Sequence, residues 1–171
     1  MDIFEAIHTR RSIRKYTDEP VSDEDLQRIL AAGMAAPTAR NTQCWRFVVI
    51  NDRSLLESIQ TVQPYARMAA KAPVAVLVCA DARVACQPDG YWVEDASAAI
   101  QNMLLAARAL DLGTVWCAVH PDPAYEEGIR RLFRLPEAIR ALGLVVIGHP
   151  AREFTREDRY DPEKVRYNGW D

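Results

Sequence analysis

Residues 95–110 read DASAAIQNMLLAARAL, and most positions of this stretch are apolar or small. A helix that is apolar around most of its circumference must be buried on most sides. A chain of 171 residues has limited means to surround such a helix. We therefore predict that this helix forms the interface of a homodimer. The alternative is a central helix that is enclosed within one subunit.

The composition is that of a globular protein. Hydrophobic residues make up 49% and charged residues 26% of the chain, and the formal net charge is -3. This charge provides no basic field for nucleic acid or for an anionic membrane. No apolar run is long enough to span a bilayer, and Met1 is followed by Asp2 without a signal-peptide pattern. We expect one cytoplasmic domain, residues 1–171.

The four cysteines, Cys44, Cys79, Cys86 and Cys117, show neither a CxxC motif nor a Cys/His ligand spacing. Three of them lie in or beside apolar runs that resemble strands. Buried free thiols are therefore expected rather than a metal site or disulfides.

Periodicity and punctuation predict alternating helices and strands, with an α+β order of two helices followed by strand, helix, strand, helix, strand, helix, strand. The apolar run at 74–80 is typical of a central strand covered on both faces. The last strand is expected at 143–148. Ser54-x-x-Glu57 resembles a capping box, Gly113 is expected to end the long helix, and Pro136 is expected to start one more helical turn.

Three arginines and a hydroxyl follow the short apolar segment at the N-terminus: Arg10, Arg11, Ser12 and Arg14. Guanidinium groups repel one another unless an anion lies between them, and their planar donors suit phosphate and carboxylate oxygens. The cluster therefore predicts a site for a phosphate ester. The alternative is a solvated set of cations that complements the negative end of a helix dipole.

A polar loop at 37–45 is rich in amide and hydroxyl groups, which are contributed by Thr38, Arg40, Asn41 and Gln43. Taken alone, such amides usually form turns. Together with a phosphate site, they are the groups that a phosphorylated heterocycle requires.

Two aromatic segments carry further predictions. Tyr91 and Trp92 could form a lid over a pocket, although packing beneath their loop is the simpler interpretation. The charged tail at 151–171 contains Tyr160, Tyr167 and Trp170. A charged segment without periodicity is disordered unless it packs on something, so we expect the tail to pack on a partner subunit.

The arginine cluster, the 37–45 loop, the 113–116 turn and the 143–148 strand together resemble the nitroreductase family of FMN-dependent oxidoreductases. The resemblance implies an α+β fold with a central mixed, mainly antiparallel sheet flanked by helices, in an intertwined homodimer with FMN at the interface. It implies that Arg10, Arg11, Ser12 and Arg14 contact FMN, that Thr38, Arg40, Asn41 and Gln43 come from the partner chain, and that Trp116 and Cys117 lie beside the isoalloxazine. Arg159 is a candidate for a further phosphate contact.

The resemblance also implies a reaction. NAD(P)H would reduce the flavin at N5 and leave, and a nitroaromatic, quinone or enone would then take the electrons. The three histidines, His8, His120 and His149, are isolated in sequence, so structural or surface roles are expected for them rather than catalysis. No G-x-G-x-x-G motif is present, so NAD(P)H would bind transiently on the flavin. Two alternatives remain open: a flavin-dependent relative that catalyses dehalogenation or flavin breakdown, and a dimeric protein that only binds flavin.

Overall fold

A four-stranded antiparallel sheet organises the chain in a computed structural model that describes residues 1–85 and 90–170. The strand order is β1-β2-β4-β3, and a parallel bridge joins Ser12 to Thr114 beside β3. The strands are β1 (Trp45–Ile50), β2 (Val74–Asp81), β3 (Gly113–Ala118) and β4 (Ile139–Gly148).

Helices lie between the strands in the predicted order. They are α1 (Ile3–Thr9), α2 (Asp23–Met34), α3 (Arg53–Ser58), α4 (Trp92–Ala109) and α5 (Pro123–Leu132). Short 3-10 segments occur at Ala39–Asn41, Ile59–Thr61, Pro64–Lys71 and Pro162–Lys164. Within residues 1–85 and 90–170, the helices are too short or too polar to cross a membrane.

The core lies on both faces of β2, all eight residues of which are buried. Ile100 and Met103 of α4 pack on one face, and Leu56 and Ile129 pack on the other. The prediction of a central strand covered on both sides is therefore confirmed. Cys44, Cys79 and Cys117 are free and buried as predicted, whereas Cys86 lies outside the described residues.

Two predicted helix ends are wrong. Asp52, not Ser54, caps α3, because its carboxylate accepts a hydrogen bond of 3.0 Å from the Leu55 nitrogen. Helix α4 ends before Asp111, which has a φ of 59° and an ion pair of 2.7 Å with Arg108. Aspartate tolerates this left-handed conformation, so Gly113 is free to begin β3.

The predicted helical turn at Pro136 is also wrong. Pro136 accepts a hydrogen bond of 2.9 Å from the Ile139 nitrogen in a turn, and β4 begins at once. Ile139 pairs with Asp81 of β2, so β4 starts four positions before the predicted 143. The predicted strand was drawn as a continuous apolar run. Because Arg140 is polar, the residues before Gly143 were left out of it.

Helix α4 combines both predicted environments. Its buried side faces the sheet and contacts α1 and α2 within the same subunit. Glu94 and Gln101 are exposed on its other side, and Leu105 is only partly buried. The apolar residues Ile3 and Phe4 of α1 are also exposed, at 55% and 65%. A homodimer that covers these surfaces remains a prediction.

Candidate functional site

The N-terminal arginines meet the C-terminal tail at the end of α1. Arg10, Arg11 and Arg159 line one cavity of about 240 Å³, here called the Arg10 cavity, together with His8 and Glu157. The chain separates Arg10 from Arg159 by most of its length, yet the two guanidiniums are close enough that the charge of Arg159 lowers the pKa of Arg10. The structure therefore brings these three predicted residues together.

Arg11 has a structural role at this cavity. Its guanidinium donates hydrogen bonds of 2.6 Å to the carbonyl oxygens of Arg10 and His8, which are at the C-terminal end of α1. Its Nε is buried and lies 3.5 Å from Glu157 Oε1, but it makes no hydrogen bond with any of the residues that the structure describes. Arg11 thus satisfies orphan helix carbonyls and retains one unsatisfied donor.

Arg10 carries a positive charge that its neighbours compensate only in part. Burial is the largest cause that lowers its pKa, and the charges of Arg11 and Arg159 lower it further, against a smaller opposite effect of Glu157. Both causes disfavour the cation unless an anion is present. The Arg10 cavity therefore has the electrostatics of an anion site.

Ser12 and Ile13 connect this site to β3. The Ile13 nitrogen donates a hydrogen bond of 2.8 Å to the Thr114 carbonyl, and the Ile13 side chain is fully buried. A Cβ added to Gly113 would lie 2.7 Å from Ile13 Cγ2, so glycine is required for this close approach. The contact holds the next cation, Arg14, beside β3.

Arg14 forms the wall of a second cavity with Trp116 and Cys117, here called the Trp116 cavity, with a volume of about 320 Å³. Further walls come from Gln63, Tyr65, His120 and Tyr125. Trp116 is 37% exposed, so the indole offers an apolar surface to a ligand. Burial raises the pKa of the Cys117 thiol to about 11, although Arg14 opposes the shift. Cys117 is therefore a neutral wall residue.

A third and larger cavity of about 800 Å³ adjoins Arg14 and contains cations that the sequence analysis missed. Arg67, Lys71 and Lys15 line it. Within the described part of the chain, none of these three side chains forms a salt bridge. Cys117 Sγ lies 4.0 Å from Met68 Sδ, which also lines this cationic cavity. The available sequence signal for these cations was the spacing of Arg67 and Lys71, which places the two side chains one helical turn apart.

The polar loop has an unusual backbone. Arg40, Asn41 and Gln43 have φ values of 52°, 55° and 48°, which lie in the left-handed region that most side chains avoid. Within the loop, the Gln43 nitrogen donates 3.0 Å to Thr38 Oγ1, and Gln43 Nε2 donates 3.2 Å to Asn41 Oδ1.

Asp95 of α4 anchors this loop. It is 5% exposed, and its carboxylate accepts hydrogen bonds from the Ala39 nitrogen at 2.8 Å and from Cys44 Sγ at 3.4 Å. Burial and then this hydrogen bond raise the pKa of the Cys44 thiol to about 11, so Cys44 stays protonated and able to donate. Sequence reasoning identified Asp95 only as the start of the long helix, and this start is wrong because α4 begins at Trp92.

Within one chain, the polar loop and the arginine cluster do not line a common cavity among those described above. Thr38, Arg40, Asn41 and Gln43 line neither the Arg10 cavity nor the Trp116 cavity nor the cationic cavity. The prediction that a partner chain supplies these residues therefore stays a prediction.

Comparison with known proteins identifies the family. A family model described as the nitroreductase family matches residues 7–77 and 60–149. A relative from Methanothermobacter thermautotrophicus, provisionally named NADH dehydrogenase/NAD(P)H nitroreductase, is 45% identical over 170 residues, which cover 99% of this chain and 88% of the relative. The chain belongs to the nitroreductase family.

Solved structures of nitroreductase-family proteins have the same fold. A crystal structure from Parabacteroides distasonis, with the same provisional name, has a TM-score of 0.93 at 38% identity and covers 98% of both chains. A provisionally named nitroreductase from Desulfovibrio desulfuricans, in complex with FMN, has a TM-score of 0.84 at 33% identity and covers 100% of this chain and 99% of that one. The predicted α+β nitroreductase-like fold is confirmed.

Proposed function

We propose that this nitroreductase-family chain is an FMN-dependent NAD(P)H oxidoreductase. The observation that carries the proposal is the pair of cavities on the two sides of Ser12. One contains the half-buried charge of Arg10 beside the further cations Arg11 and Arg159, and the other joins Arg14 to an exposed indole. A phosphate and a planar ring connected by a flexible linker match this pair.

The Arg10 cavity would hold the FMN phosphate. Arg10 and Arg159 have guanidiniums that repel each other in the absence of an anion, and a dianionic phosphate would remove this repulsion. Arg11 would orient the site, since its donors already fix the end of α1. Ser12 lies in sequence between the residues that line the two cavities, Arg11 and Arg14, and would contact the linker.

The Trp116 cavity would hold the isoalloxazine. The indole of Trp116 would pack on the ring, and the neutral Cys117 thiol would line it without adding charge. Arg14 would stabilise the negative charge that reduction places near ring atom N1, with Arg67 of the cationic cavity as a second cation. The bound FMN supplies hydride chemistry, which the chain's own side chains lack.

A homodimer would complete the site. Thr38, Arg40, Asn41 and Gln43 would reach the flavin from the partner subunit, because in one chain they line none of these cavities. The exposed apolar residues of α1 and the exposed tail aromatics Tyr160, Tyr167 and Trp170, at 75%, 81% and 84%, would be covered by the partner. The tail at 151–171 would thus extend one FMN-binding domain onto the other.

The reaction would proceed in two halves at one face of the flavin. NAD(P)H would bind first, deliver a hydride and leave. A small oxidant such as a nitroaromatic, quinone or enone would then bind in the same place. Neither half requires a side-chain nucleophile, and the raised thiol pKa of Cys117 agrees with a reaction that involves no thiolate.

Purification tests this proposal directly. We expect a yellow protein that contains about one FMN per chain, releases FMN on denaturation, and loses its visible flavin absorbance when NADH or NADPH is added without oxygen. Recovery of the absorbance on addition of a quinone would establish turnover. A yellow protein that NAD(P)H does not bleach would indicate flavin storage, and a colourless protein that takes up no added FMN would contradict the proposal.

A further inference from the structure

His120 lies in a wall that two cavities share. It follows β3 and lines the Trp116 cavity with Arg14 and Cys117. It also lines a neighbouring cavity of about 320 Å³ that contains Glu126. A histidine beside the candidate flavin site is a candidate proton carrier, because imidazole changes its charge near neutral pH.

Glu126 fixes the orientation of the imidazole. Nδ1 of His120 lies 2.6 Å from Glu126 Oε1, a carboxylate that lines the neighbouring cavity but not the Trp116 cavity. The ring of Trp92 packs edge-on against the imidazole, with the ring centroids 4.8 Å apart. Within residues 1–85 and 90–170, the contact with Glu126 is the hydrogen bond that the His120 side chain makes, so Nε2 is available to a ligand.

We propose that His120 is the acid of the oxidative half-reaction, and that Glu126 is the positioning residue that holds its imidazole for proton donation. The inference rests on the proposed function, because a bound reduced flavin has to supply the hydride. A carboxylate hydrogen bond to one ring nitrogen stabilises the imidazolium and leaves the other nitrogen to act.

The step balances for a quinone as oxidant. One quinone oxygen accepts the hydride, with its two electrons, from the reduced flavin. The other oxygen accepts a proton from His120 Nε2, and the two new O–H bonds give the hydroquinone. The imidazole is left neutral with its remaining proton on Nδ1, next to Glu126, and water entering the open cavity returns the proton to Nε2.

Cations and carboxylates are equal in number around the His120 imidazole. Ionisable groups line the two cavities on either side of the ring: Arg14 and Asp122 in one, Glu126, Arg130, Glu137 and Arg140 in the other. The phenols of Tyr65 and Tyr125 also face the Trp116 cavity. Three cations and three carboxylates thus surround the ring, and of these Glu126 makes the hydrogen bond to it.

Two oxidants distinguish proton donation from electron transfer. Enzyme that has been reduced with NADH is mixed rapidly with a quinone, which needs a proton, or with ferricyanide, which accepts electrons alone. We expect His120→Gln to reduce the quinone-to-ferricyanide ratio of reoxidation rates by about tenfold or more, since general acids contribute factors of that order or larger. Glu126→Gln, which keeps the size of the side chain, should lower the ratio less.

His149→Gln is the matched control. Its imidazole also lies near a carboxylate, with Nδ1 3.7 Å from Glu19 Oε2, but it lines none of the cavities around the candidate site. We expect the parental ratio in this variant. An unchanged ratio in His120→Gln, with a normal flavin content, would overturn the inference and leave the proposed function intact. A parent protein without NAD(P)H-reducible flavin would overturn both.

A second readout does not depend on turnover. Long-range ¹⁵N–¹H spectra of histidine-labelled protein identify which ring nitrogen carries the proton. We expect the neutral His120 ring to be protonated on Nδ1 in the parent, and this preference to weaken in Glu126→Gln. A proton found on Nε2 of the neutral parent ring would contradict the positioning role of Glu126.

Discussion

The carboxylate of Asp95 accepts a hydrogen bond of 2.8 Å from the backbone nitrogen of Ala39. This contact connects α4 to the polar loop, in which three residues have left-handed backbone conformations. Such conformations cost of order 1 kcal/mol each and persist only where the surroundings impose them. Asp95 therefore holds a strained loop on the helix that we propose for the dimer interface.

Removal of this anchor should loosen the loop. We predict that Asp95→Ala lowers the free energy of unfolding by about 1–3 kcal/mol, because it leaves the partly buried Ala39 N–H without an acceptor, and that it weakens FMN binding. Asp95→Asn retains an acceptor oxygen and should lose less. Urea denaturation and FMN titration measure the two effects. Equal stability and affinity in Asp95→Ala and the parent would show that the loop does not depend on this carboxylate.

Arg14 should be required for flavin retention but not for folding. Its side chain is exposed in one subunit, so Arg14→Ala leaves the fold intact. Loss of a charge-assisted hydrogen bond costs about 1.5–3 kcal/mol, which is about a ten- to hundredfold weaker affinity for FMN. Fluorescence titration with FMN measures the change. Arg28→Ala, at an exposed ion pair on α2, is the control and should bind FMN as the parent does.

Gly143 should be intolerant of a side chain. A Cβ at this position would lie 2.4 Å from Trp116 Nε1 and 2.9 Å from the Cys117 carbonyl oxygen. The indole can move but the β3 backbone cannot, so we expect Gly143→Ala to cost about 1–3 kcal/mol of stability and to displace Trp116 from the candidate ring site. Thermal unfolding and tryptophan fluorescence test this. Gly169→Ala, where no atom lies within 4 Å, should be neutral.

Glu157 should compete with phosphate for the same cations. Its hydrogen bond to Arg159, followed by the charge of Arg11, lowers its pKa, so it is ionised at neutral pH. We predict that Glu157→Gln tightens FMN binding by less than about tenfold, since exposed charge pairs are weak, and that the gain shrinks at high salt. Glu163→Gln removes the same charge elsewhere in the tail and should leave the affinity unchanged. Weaker binding in Glu157→Gln would mean that Glu157 supports the site.

The fold was largely predictable because its signals are local. Ser22 and Asp122 are common helix-capping residue types, and both cap helices in the structure, while the apolar run of β2 is buried throughout, as predicted. The errors arose where two residues could each cap the same helix, as Asp52 and Ser54 could for α3. They also arose where pairing with a distant strand extends an element, as at Ile139. A short stretch of sequence determines neither the choice between two possible caps nor the pairing of distant strands.

The candidate site was predictable in part. Arg10 and Arg14 stand out as a cluster in the sequence, whereas Arg67 lies in an ordinary helical turn and becomes a candidate only because the fold brings it near Arg14. His120 was expected to have a structural or surface role because the three histidines are isolated in sequence. Its partner, Glu126, is one turn into α5, and the loop between them brings the two side chains together.

The central claim is that the arginine cluster of one subunit and the polar loop of its partner bind one flavin. Coexpression of two defective chains, Arg10→Ala/Arg14→Ala and Asn41→Ala/Gln43→Ala, tests it through the FMN content of the purified mixture. Each variant alone should bind little FMN, whereas mixed dimers should contain one intact site, so that about a quarter of all sites recover flavin when subunits pair at random. No recovery in a mixture that demonstrably contains mixed dimers would contradict the claim.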